Sequence, residues 1–254
     1  MKNTIFKRYW MQGWKLFKHA LNMVLRNWLE ALKIFLVPSL LAVLGAAALV
    51  FIFGVILRGG TGAQILTLSL IAALFVFVLL WTVVAWHRFV VLEEYPTGWI
   101  PPLQLNPMAS YLWNAFIISL LAMAVIVLVA LFFFVAQAAN IVTLVAVLAI
   151  PLFIFLGVLW LQVSIVLPAA AVGNPIKISQ AFDATRGAFW SFLVLLILIG
   201  LLQSGTEILV QGLEGGSEVL ALVVSVVLSA FLGVLNISIL TTLYGHYIEG
   251  RSLD

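Results

Sequence analysis

YLWNAFIISLLAMAVIVLVALFFFVAQAANIVTLVAVLAIPLFIFLGVLWLQVSIVLP, residues 111–168, contains no charged side chain, and its reading decides the fold. It sits within an uncharged tract that runs from Tyr95 to Ile176. A hydrocarbon core about 30 Å thick needs roughly 20 apolar residues per helix, so the tract holds two crossings. The break between them is legible at Gln137 and Asn140, a short polar turn, and Pro101, Pro102 and Pro107 mark the loop before them. Working outward, further uncharged tracts cover Ile34–Leu57, Gly59–Trp86, Gly187–Thr206 and Val219–Ile248. Six spans are predicted, at 34–57, 64–87, 110–136, 141–168, 188–211 and 219–246. The expectation is an all-α polytopic membrane protein: six transmembrane helices in three hairpins, with amphipathic cytoplasmic elbow helices.

Composition excludes the alternatives. Hydrophobic residues make up 65% of the 254, only 8% are charged, and the mean hydropathy is +1.25, beyond what a soluble domain buries. A transmembrane barrel would show short alternating segments instead of continuous apolar runs. With no cysteine, disulfides and thiolate chemistry are excluded. The net charge of +3 is spread along membrane edges, which explains the basic pI without a nucleic-acid partner.

Lysine and arginine set the predicted orientation. With the N-terminus in the cytoplasm, that side collects Lys2, Lys7, Arg8, Lys15, Lys18, Arg26, Lys33, Arg88, Lys177, Arg186 and Arg251. Arg58 alone falls opposite, beside a loop carrying Glu207, Glu214 and Glu218. This bias places both termini in the cytoplasm, and the basic, aromatic start reads as a retained extension instead of a cleaved signal.

Residues 1–33 form the predicted entry helix, 34–248 the transmembrane domain and 249–254 a cytoplasmic tail. Trp10, Trp14, Phe17, Leu21, Leu25 and Trp28 recur at helical spacing, while Lys15, Lys18, His19, Asn22 and Arg26 occupy the rest of the circumference. Aromatic rings settle at the membrane interface and cations meet anionic lipid there, so Trp10, Trp14, Lys15, Phe17, Lys18, Arg26 and Trp28 are the candidate lipid-interface residues. The competing reading packs this helix against the ends of the others. It is expected to run on into the first span and to kink at Pro38.

Segments entering at Asn106-Pro107 and Asn174-Pro175 suggest two further units of the same plan. The stretch Leu167-Pro168 to Phe189-Trp190, with Ala181 and Thr185-Arg186-Gly187 between, resembles the membrane domain attached to some bacterial glycerophosphodiester phosphodiesterases. Stand-alone inner-membrane proteins share that domain. Where the family pattern often has an acidic residue, Val172-Gly173-Asn174 stands here. The resemblance implies a six-helix bacterial inner-membrane fold and brings no catalysis, because the metal-binding barrel of the phosphodiesterase is absent from this sequence.

His87, Arg88, Arg186, His246 and Arg251 gather at predicted cytoplasmic helix ends and are the candidate anion or headgroup residues: arginine binds phosphate bidentately and histidine titrates near neutrality. The plainer alternative is that they pair, snorkel and orient the bundle. His87, Glu93, His246 and Glu249 lack the spacing of a metal motif, and no cofactor or catalytic group is expected. Gly45 and Gly54 are expected to let helices approach closely. The functional expectation is a non-enzymatic protein that organises membrane lipids or an integral-membrane partner, a second copy included. The alternative is a transporter of a small solute or lipid, marked by a polar cavity near Gln162, Gln203 or Asn236.

Overall fold

The structure is a computed structural model. It describes the backbone of residues 2–56 and 59–253, and the side chains of residues 10–56 and 59–253. Arg58 and the side chains of Lys2, Lys7 and Arg8 lie outside the described residues. The helices are α1 (Lys2–Arg26), α2 (Trp28–Val50, extended by a wider turn over Phe51–Ile56), α3 (Thr61–Leu92), α4 (Leu105–Ala138) and α5 (Val142–Ser164). They continue with α6 (Val166–Ala171), α7 (Ile178–Ala184), α8 (Phe189–Glu214) and α9 (Glu218–Tyr247). Among the described residues there is no strand. Six stretches are long and apolar enough to cross a membrane: Trp28–Ile56, Thr61–Leu92, Leu105–Ala138, Val142–Ala171, Phe189–Glu214 and Glu218–Tyr247.

These helices outrun the predicted spans at several ends. Hydropathy stops at the first charge, whereas helices carry Lys and Arg past the apolar boundary on long stems. Thus α3 continues through His87 and Arg88 to Leu92, and Glu93 ends it with a left-handed backbone at φ 56°. The Gln137–Asn140 turn is as expected, with Asn140 also left-handed. The first two helices differ from expectation. The entry helix does run on, but Asn27 is the residue that leaves helical geometry (φ −114°, ψ 33°), while Pro38 sits inside α2. The Asn27 side-chain amide bonds the Met23 carbonyl at 2.8 Å, a local bond that competes with the helix ladder. At the Leu167-Pro168 step, the ring of Pro168 crowds the carbonyl of Ser164, four residues earlier, and the helical hydrogen bonding is interrupted at Ile165, whose backbone stays right-handed helical (φ −60°, ψ −23°), between α5 and α6.

Packing is uneven from end to end. The core gathers Leu16, Trp86, Phe192, Ile239, Leu243 and Tyr244 at the end of the bundle where α1 lies. Gln12 of α1 donates to the Tyr247 hydroxyl at 3.3 Å, so the two terminal regions meet at that end. Gly13 is why α1 comes so close: a Cβ there would stand 2.7 Å from the Ser191 carbonyl and from Val194 of α8. In α2 the buried face is Ile34, Pro38 and Ala42, at helical spacing toward α3. Gly45 continues it, 2.9 Å from Leu74 as judged from a Cβ position, whereas Gly54 faces open space. Buried hydrogen bonds tie α3 to α9: Trp86 Nε1 to Ser238 at 2.9 Å, and His87 Nδ1 with Thr241 at 2.8 Å. Such bonds between membrane helices contribute about 0.6 kcal/mol each on average.

Candidate functional site

Helix α1 divides its circumference three ways. Gly13, Leu16, Phe17, Ala20 and Val24 recur every three or four residues and are buried. They face α8 and α9. Beside this face lie Trp10 and Trp14, 45% and 48% exposed, with Leu25 and, past Asn27, Trp28. Beyond them Lys15, Lys18 and Arg26 are exposed, and none pairs with a carboxylate among the described residues. Six of the seven interface residues read from the sequence therefore stand outward. Phe17 does not: at 8% exposure it belongs to the buried face, although its ring still stacks on Trp14 at 6.2 Å. The packing reading of the helix holds for its buried face, and the indole and basic stripes are left outside it.

A polar groove runs along the other flank of α1. One cavity of about 280 Å³ lies between α1 and the end of α3, with His19, Asn22, Arg26, Glu93 and Tyr95 in its wall. A second, of about 180 Å³, shares His19 and is closed by Thr242, His246 and Arg251. Burial, and then the charges of Arg26 and His246, hold the His19 imidazole below its ordinary pKa of 6.5. Spacing offered no direct sign of this groove; His19 lies between the buried face and the basic arc, and Asn22 stands on the arc itself, one turn before Arg26.

The five candidate anion residues separate into four settings. His87 is fully buried, its ring 5.8 Å from Tyr111, and has no surface to offer a headgroup. Arg88 forms an ion pair with Glu94 through Nη2 and through Nε at 2.8 Å, and reaches the Ala171 carbonyl at 3.3 Å. Gln104 also donates to Glu94, at 3.0 Å, so this cluster fastens the 93–104 loop and α6 to α3. Arg186 stands apart, largely exposed, paired with Asp183 at 3.0 Å. His246 and Arg251 alone meet at the groove. His246 Nδ1 bonds the Arg251 carbonyl at 3.0 Å, and Arg251 donates to the Val91 carbonyl at 2.7 Å while pairing with Glu249 at 2.6 Å. Ala171 and Val91 end or nearly end their helices, where carbonyls lack helical partners, so arginine satisfies both.

Gln162 bonds Thr185 at 3.1 Å and is buried, while Gln203 and Asn236 lie exposed on the outer surfaces of α8 and α9. Among the described residues no three of His, Asp and Glu converge to hold a metal. Comparison with protein-family models, with curated proteins and with solved structures found no match.

Proposed function

We propose that this protein is a non-enzymatic inner-membrane protein that organises anionic lipid or a membrane partner at the cytoplasmic interface, with α1 as its working surface. The observation that carries the reading is the arrangement of α1, an amphipathic helix anchored by one face, with an indole-bearing stripe and a basic stripe that pairs with no carboxylate among the described residues left outside. A helix that only filled space between its neighbours would have no need of either stripe. Each basic residue near a strongly anionic surface contributes about 1 kcal/mol, so Lys15, Lys18 and Arg26 together supply a substantial attraction.

The positive-inside bias supports cytoplasmic termini, and the Leu167-to-Trp190 segment supports kinship with the membrane domain of bacterial phosphodiesterases. A polar-solute pathway has less support, since the Gln162 amide is engaged by Thr185 and Gln203 and Asn236 face outward. The test is the double variant Trp10→Glu/Trp14→Glu, which leaves the buried face of α1 untouched. In vesicles containing phosphatidylglycerol it should lose amide protection over residues 10–26 or shed a co-purifying partner, with the six apolar helices still inserted. Unchanged protection together with unchanged lipid and partner retention would sink the proposal.

A further inference from the structure

Helices α4 and α5 form a hairpin that is closed at its turn and open along its length. At the turn Ala136, Val145 and Ala149 are buried, and the Ile141 amide donates to the Ala136 carbonyl at 3.0 Å. Toward the α1 end, α4 instead buries Met108 and Ile118. Between these two attachments lies a cleft of about 670 Å³, inside the roughly 300–1,000 Å³ range of ligand sites. Small residues on α4, Ala122 and Ala130, make the room, while Gly157 on α5 lets Leu196 of α8 pack close behind the cleft. Ile178 and Phe182 of α7 roof it.

The cleft's length fits one leaflet. Its α4 wall, Ile118 to Ala130, covers about 18 Å at 1.5 Å per residue, and its α5 wall, Phe153 to Val163, about 15 Å. Half of a hydrocarbon core about 30 Å thick is about 15 Å. The roof lies at the α1 end, so a hydrocarbon chain entering there would run toward the middle of the bilayer. The rim carries a cation: Lys177, immediately before Ile178, is exposed and pairs with no carboxylate among the described residues.

We propose that this cleft is a binding site for an anionic phospholipid, its acyl chain along Ala122, Ile126 and Phe153 and its phosphate at Lys177. The exposed cation at the rim makes an anionic headgroup the complementary occupant, the acid next to the roof, Asp183, being already paired with Arg186 at 3.0 Å. Ligand class is all that the site shares with the α1 reading. The Trp10→Glu/Trp14→Glu variant leaves it intact, so either can fail alone.

The absence of cysteine makes single-cysteine variants clean probes. A bimane label goes at Ile126→Cys in the cleft, or at Val226→Cys on α9, whose native residues are 60% and 61% exposed. Each protein is placed in vesicles of equal parts phosphatidylglycerol and phosphatidylcholine, with one or the other brominated. Quenching at position 126 should favour brominated phosphatidylglycerol by about fivefold, the preference one lysine near an anionic headgroup supports. Quenching at 226 should show no preference, and Lys177→Gln should erase the preference at 126. Equal quenching by both lipids at position 126 would overturn the proposal, as would efficient cross-linking of two copies through Ile126→Cys.

Discussion

Two neighbours on one helix, Trp14 and Phe17, show how far three residues of spacing separate roles. Their rings touch, yet Trp14 is half exposed and Phe17 is core. A charge at Trp14 therefore alters only the exposed stripe of α1, while a charge at Phe17 would also break the packing of α1. His19, on the groove side, gives this end of the molecule a pH dependence. Its folded-state pKa lies below 6.5, so the folded form binds fewer protons than the unfolded one as pH falls through that value. The docked helix is thus fully stable above about 6.5 and loses stability as pH drops toward the lowered pKa. Among the groups around the imidazole, Arg26 and His246 oppose its protonation and Arg251 lies across the adjoining cavity, while Glu93, the acid in the same wall, acts the other way and does not reverse the lowering. Amide exchange over residues 12–26 should accelerate in mildly acidic buffer, and His19→Gln should flatten that dependence. Exchange that responds to acid equally in wild type and His19→Gln would assign the effect to another group.

At the scale of elements, α1 depends on one missing methyl group. Gly13→Ala would set a Cβ within 2.7 Å of the Ser191 carbonyl and Val194. A backbone carbonyl cannot yield as a flexible side chain does, so α1 must lift from α8, with an overpacking cost of about 1–3 kcal/mol. Limited proteolysis should then cut within residues 10–26 while the other helices stay protected; a wild-type digestion pattern would show that α8 moves instead. Nothing in the chain's composition announced Gly13, because a glycine in a basic, aromatic helix reads only as a weak point. The six apolar helices, by contrast, were legible, since crossing a bilayer demands an apolar length that few charges can interrupt. The turn at Gln137–Asn140 was legible for the same reason. What escaped the sequence depends on which neighbour a side chain meets. Arg88 and Arg251 look like anion ligands until Glu94, Glu249 and two helix-end carbonyls are placed beside them. The α4/α5 cleft escaped as well, because Ala122 and Ala130 bordering a cleft have the same composition as Ala122 and Ala130 packed shut.

Over the whole molecule, the packed core and the polar contacts share one end. Trp86, His87, Phe192, Leu243 and Tyr244 lie there, whereas toward the opposite end burial reduces mainly to small or short side chains such as Thr67, Ala136, Val145 and Ala221. In lipid, separating two helices exposes apolar surface to an equally apolar solvent, so stability comes from close packing and hydrogen bonds more than from burial as such. The end that holds those contacts must therefore carry most of the fold's free energy, and the other half of each hairpin is held mainly by the bilayer. Phe192→Ala removes a fully buried ring that packs on Tyr247 at 5.4 Å. It should cost about 2 kcal/mol or more, through lost dispersion contacts and a cavity that cannot fully collapse. Val226→Ala, on a side chain 61% exposed, should stay within about 0.5 kcal/mol. Thermal unfolding in one detergent, followed by the monodisperse fraction in size-exclusion chromatography, separates the two. Equal losses would mean that the open half is packed against something this chain alone does not contain. The predicted inequality would instead mean that α1 and its groove rest on the rigid end, with the α4/α5 cleft opening from it into a more compliant half.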